Sequence, residues 1–155
     1  MKKTLNLFLI TIFCFIGLKL SAQIQIQTSN SEVIVGKCKN GAYTQAQLSY
    51  TIQEDKDTLY AFLFLNAKFS ALTDYQTIQF SGENNAVSDL YNILKSFFTE
   101  ENKKNKEYKV EFKLGNTQVI ASNVRIMGVT SVMIFTTKGY VYLTEKQVEK
   151  VFGKN

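Results

Sequence analysis

Three groups of side chains in this 155-residue chain could carry chemistry: a cysteine flanked by lysines, a cluster of carboxylates, and a set of tyrosines. Cys38 stands between Lys37 and Lys39, just before Asn40-Gly41. Neighbouring cations favour the thiolate, which is the nucleophilic form of cysteine. A nucleophile also needs a group that moves protons, and the chain has no histidine. Ser-His and Cys-His pairs and imidazole metal sites are thereby excluded. Strand alternation puts Cys38 on the face opposite Lys37 and Lys39, so the thiol is expected to pack as a small hydrophobe. The alternative use of this thiol is an intermolecular disulfide. Glu54-Asp55-Lys56-Asp57 gathers three carboxylates. A hard cation needs about six to eight oxygens in defined positions, and Lys56 sits among these, so a solvated turn is expected. No residue is nominated as catalytic, as a metal ligand or as a cofactor contact, and an enzymatic role is not expected.

The tyrosines offer more. Tyr43, Tyr60, Tyr140 and Tyr142 fall in strand-like segments, and Tyr140 and Tyr142 must share a face because strand side chains repeat every two residues. Exposed, Tyr43, Tyr140 and Tyr142 would form an aromatic surface for a glycan, a peptide or another envelope or secreted protein. The competing expectation is that the C-terminal helix or a neighbouring strand covers them.

The elements that position these residues begin after a leader. Lys2 and Lys3 precede an uncharged run of 12 residues, Leu7–Leu18, followed by Lys19 and Leu20-Ser21-Ala22. A spanning helix needs roughly 20 apolar residues, whereas about 7–15 suit the core of a signal peptide. The segment resembles a bacterial Sec signal peptide with cleavage after Ala22. Cys14 follows Phe13 rather than a small residue, so it reads as part of the apolar run and not as a lipid-attachment site. The expectation is a cleavable leader over 1–22, export to the periplasm or the exterior, a single domain over 23–155, and no stable membrane span once the leader is gone. Lys2, Lys3 and Lys19 belong to the leader, so the formal charge of +5 falls to +2 for the remainder. Nucleic acid, which demands a concentrated basic face, is not an expected partner. The lysines of Asn102–Lys109 are interleaved with Glu107 and read as a solvated loop entering a strand.

Within 23–155 the pattern is strand-rich. Glu32–Cys38 and Ala42–Ile52 read as a hairpin about Asn40-Gly41, the signature of a type I′ turn. Leu59–Leu65 is apolar on both faces and reads as a central strand covered on each side. Tyr75–Phe80 alternates. Val87, Leu90, Tyr91, Leu94, Phe97 and Phe98 recur at steps of three and four, which predicts an amphipathic helix over about Asn85–Phe98. Tyr108–Leu114, Thr117–Ile126 (with a break near Ser122-Asn123), Val132–Phe135 and Tyr140–Leu143 read as strands. Thr144 and Gln147 form a capping box for a short terminal helix closed by Gly153. The fold class expected is α+β: one curved antiparallel sheet of about 7–8 strands with a central amphipathic helix and a short C-terminal helix. A partly closed barrel with packed helices is the alternative. The functional expectation is a small exported, non-enzymatic binding or interaction domain. The alternative is a carrier of an apolar ligand held in a cavity between sheet and helix.

Overall fold

The computed structural model describes residues 31–53, 57–69 and 72–154. The segment expected to be a leader, 1–22, with Cys14, and most of the Glu54–Asp57 segment lie outside those residues. The described chain is mostly antiparallel β, with two sheets of four strands and two helices. The first sheet is a meander of β1 (Val33–Asn40), β2 (Tyr43–Ile52), β3 (Thr58–Leu65) and β4 (Tyr75–Ser81). Helix α1 (Ala86–Ser96) follows. A second meander comprises β5 (Lys109–Leu114), β6 (Thr117–Ile126), β7 (Val129–Thr136) and β8 (Gly139–Thr144), and helix α2 (Glu145–Val151) closes the chain. Each half is thus four strands and then a helix.

The expectation of a single curved sheet is corrected, and so is the barrel alternative. No ladder joins β4 to β5; the strands before and after α1 form backbone ladders only within their own meanders. Helix α1 and two 3-10 turns intervene between β4 and β5 in the chain. The β5–β6 turn approaches the β4 edge so closely that a side chain at Gly115 would collide with the Gln79 carbonyl. Three smaller differences also have local causes. The first hairpin turns on Gly41-Ala42, one residue later than expected, with Gly41 at φ +60° in the first central position as a type II′ loop requires. β6 runs unbroken through Ser122-Asn123, because Ser122 pairs with Lys109 on one side and Met133 on the other. β3 is central within its sheet, yet only Phe62 and Phe64 are fully buried; Leu59, Ala61, Leu63 and Leu65 are half-buried on the outer face.

One core joins the two halves. Leu48, Phe62, Phe64 and Ile78 of the first sheet pack with Val119, Val132, Ile134, Val141 and Leu143 of the second. Leu90, Leu94 and Phe97 fill the inner side of α1, as their spacing predicts. α2 begins at the expected capping box, in which the Thr144 N–H donates to Gln147 Oε1 at 2.8 Å, and the staple residues Leu143 and Val148 are buried. Its last turn lies directly on β1. A Cβ at Gly36 would strike the Lys150 and Val151 carbonyls, so glycine is what permits the contact. The helices are tied together by Lys95, whose ammonium donates to Glu145 Oε1 at 2.7 Å and Glu149 Oε1 at 2.8 Å. These two carboxylates, Glu145 first, hold the lysine well above its ordinary pKa.

Candidate functional site

The cross-strand register decides which way the tyrosines of β8 face. Val141 and Leu143 point into the core and are buried. Tyr140 and Tyr142 therefore stand on the opposite face, against Phe135 and Met133 of β7. Beyond these lie Ile120 and Ser122 of β6. Among the described residues this face is partly open: Phe135 is exposed, and Tyr140 and Tyr142 are half-buried, with ring centroids 5.2 Å apart and edge-on geometry. Partial burial and the hydrogen bond with Tyr140 push the Tyr142 phenol above its ordinary pKa.

Tyr43 approaches from the other sheet. It begins β2, is 54% exposed, and lines with Tyr142 a cleft of about 270 Å³ at the junction of the two sheets. Asn40, Gln45, Leu65 and Leu72 complete most of its wall, and among the described residues no charged side chain contributes to the lining. Tyr140 does not line it. The cleft follows the free edge of β8, whose outward backbone groups would otherwise be bare. Amide side chains pair with three of them. Asn66 Oδ1 accepts from the Tyr140 N–H at 3.2 Å, Gln45 Nε2 donates to the Tyr142 carbonyl at 2.6 Å, and Gln147 Oε1 accepts from the Thr144 N–H. Gln147 Nε2 in turn donates to Gln45 Oε1 at 2.7 Å, joining the edge cover to the α2 capping box.

Asn66 is the most constrained member. It is almost fully buried at the end of β3, and all four of its side-chain hydrogen-bonding positions are used. Nδ2 donates to Asp74 Oδ2 at 2.8 Å and to the Lys138 carbonyl at 3.2 Å. Oδ1 accepts from the Lys68 N–H at 3.1 Å as well as from Tyr140. The first sheet is thereby stitched to the β7–β8 turn. Sequence reasoning did not single out Asn66, Gln45 or Leu72; an asparagine after a strand signals only a turn.

Cys38 sits opposite Ala46 in the core and is 2% exposed, while Lys37 and Lys39 are exposed. Burial pushes its thiol up in pKa, against smaller opposing effects of backbone hydrogen bonds and Lys150. The sulfur is not presented to a second molecule unless β1 opens. Among the described residues no group of three or more His, Cys, Asp or Glu is placed to hold a metal ion. No described helix is long and apolar enough to cross a membrane. No protein-family model, curated protein or solved structure matches this chain.

Proposed function

We propose that this chain is a small exported, non-enzymatic binding domain whose ligand sits in the cleft between Tyr43 and Tyr142. One observation carries the reading: two tyrosines from different sheets line a single uncharged cleft together with amide side chains. Aromatic faces beside amide donors and acceptors suit the apolar faces and hydroxyl edges of a sugar. A volume near 270 Å³ falls just under the usual range for ligand pockets, about 300–1,000 Å³, and matches one ring rather than a large ligand. The ligand class proposed is therefore a neutral glycan, engaged one residue at a time along the β8 edge. The amide cover of that edge disfavours the other common mode, addition of a peptide strand. The leader-like pattern of residues 1–22 supports export. Leu90, Leu94 and Phe97 are buried, and the cleft of about 330 Å³ between α1 and β5, beside Leu90, Ile93, Phe112 and Leu114, is rimmed by Glu83, Asp89 and Lys113, which suits an apolar ligand poorly.

The test is a screen of neutral oligosaccharides by calorimetry, repeated on the Tyr43→Ser and Tyr142→Ser variants. The expected result is binding that each substitution weakens by about tenfold, consistent with roughly 1–1.5 kcal/mol for an aromatic contact, at an unchanged melting temperature. Loss of stability in proportion to loss of binding would assign these tyrosines to structure instead. Retention of an envelope protein in place of any glycan would replace the ligand class.

A further inference from the structure

The β6–β7 hairpin ends in a feature that neither core nor cleft accounts for. Its two-residue loop is Met127-Gly128, with both residues at positive φ, +48° and +83°. That is a type I′ arrangement, for which asparagine or aspartate before glycine is the ordinary choice and a long apolar side chain is strained. Met127 is nevertheless there, and it is 99% exposed. The flanking pair, Ile126 and Val129, face each other across the ladder and are both exposed. Three apolar side chains thus project at one tip, one of them from an unfavourable backbone conformation.

The opposite side of the same hairpin is cationic. Arg125 and Thr130 form the next cross-strand pair, and with Lys103, Lys104 and Lys106 they line a cleft of about 410 Å³ with no acidic side chain among its described residues, although Lys103 also pairs with the exposed Glu100 at 3.4 Å. The lysine loop is not merely solvated. Asn123 of β6 holds it, donating from Nδ2 to the Asn102 and Asn105 carbonyls, while Asn102–Lys104 forms a 3-10 turn. Arg125 Nε donates to the Gly128 carbonyl at 3.0 Å, which holds the guanidinium beside the Met127-Gly128 turn.

From this juxtaposition we infer that the β6–β7 tip docks on the surface of an anionic lipid bilayer, with Ile126, Met127 and Val129 entering the acyl boundary and Lys103, Lys104, Lys106 and Arg125 meeting the headgroups. The order of chemistry along the tip, apolar at the apex with cations beside it, follows the order of chemistry in a leaflet. Three small apolar groups alone bind reversibly and weakly, and the neighbouring charges supply the second signal that stable docking needs. The inference is independent of the tyrosine cleft.

Vesicle flotation tests it, using phosphatidylcholine vesicles with and without phosphatidylglycerol at low and high salt. Wild type and variants are expressed as the full chain and recovered in the same processed form, so any effect of the leader is common to all. Met127→Asn removes the apex while giving the turn its favoured residue, so the fold is retained and the melting temperature holds or rises. The expected result is binding to the anionic vesicles that salt weakens and that Met127→Asn reduces by about tenfold or more. Replacing Lys103, Lys104 and Lys106 with serine should cost about fivefold per lysine. Absence of binding, equal binding to neutral vesicles, or indifference to Met127→Asn would each overturn the inference. Capture of a protein through this tip without vesicle binding would overturn it in favour of a protein partner.

Discussion

Removing the Asn66 side chain should be the most informative single perturbation of this fold. In Asn66→Ala four partners lose a hydrogen bond: the Lys68 and Tyr140 amides, the Lys138 carbonyl and the Asp74 carboxylate. Lys68 and Lys138 are exposed residues whose backbone groups can turn to water. Tyr140 and Asp74 are half-buried, and Asp74 keeps its other oxygen on Gln76 Nε2 at 2.9 Å. Two partly buried polar groups left unpaired, at about 1–3 kcal/mol each, give a loss of roughly 2–4 kcal/mol once partial solvation is allowed. At about 4 °C per kcal/mol for a domain of this size, the melting temperature falls by about 8–16 °C. Urea unfolding followed by far-UV circular dichroism measures this; the chain has no tryptophan to report by fluorescence. Asn66→Asp sharpens the test. Its carboxylate cannot donate, and it stands beside Asp74, so at neutral pH it should be less stable than Asn66→Ala. Its pKa in the folded protein is raised by that neighbour, so protonation restores stability as pH falls, and the gap between the two variants closes below about pH 5. A loss under 1 kcal/mol for Asn66→Ala, or an aspartate variant indifferent to pH, would refute the assignment of Asn66 as the tie between the sheets.

Two further outcomes follow from the charges and the thiol. Lys95 has a folded-state pKa above its unfolded value of 10.5, so its contribution is fully present below that pH and is lost as pH rises through the higher folded value. Both ion pairs are about a third exposed, so the stability difference between wild type and Lys95→Met should be near 1 kcal/mol. That difference should stay flat to about pH 10 and shrink above it; widening there would contradict the pairing. Cys38, in a Cys14→Ser background, should react with a disulfide reagent far more slowly in the native protein than in urea, and should give no dimer on a non-reducing gel. Immediate labelling of the native protein would show that β1 does not shield the sulfur.

Local pattern was legible wherever the cause is local. The three- and four-residue steps from Val87 to Phe98 located α1, and Thr144 with Gln147 located the start of α2, because helix faces and caps are written within a few residues. The split into two sheets was not legible. β4 and β5 alternate like any paired strands, and whether their edges meet in a ladder is decided by tertiary packing that no local pattern encodes. The first turn slipped by one residue because Asn40-Gly41 and Gly41-Ala42 each offer a glycine, at different positions of the loop. For the candidate site, Tyr43 and Tyr142 could be picked out as strand tyrosines, but their meeting depends on packing between residues 99 apart in the chain. The lysine loop was read as solvated because Arg125 and the Asn123 clamp reach it only through β6.

The treatment of sheet edges links these observations. A strand with bare amides recruits other strands indiscriminately, so a domain that recognises ligands by side chains must cover such an edge without burying the site beside it. A covering helix would have hidden Tyr140 and Tyr142. Here Asn66, Gln45 and Gln147 pair with three of the outward groups of β8, the Tyr140 N–H, the Tyr142 carbonyl and the Thr144 N–H, and leave Tyr140 and Tyr142 half-buried rather than hidden. The same contacts are those that join the two halves, since Asn66 and Gln45 belong to the first sheet and their backbone partners to the second. Stability and ligand access at the cleft are therefore set by one group of amides. Substitutions there should change both together, whereas substitutions at Tyr43 and Tyr142 should change binding alone.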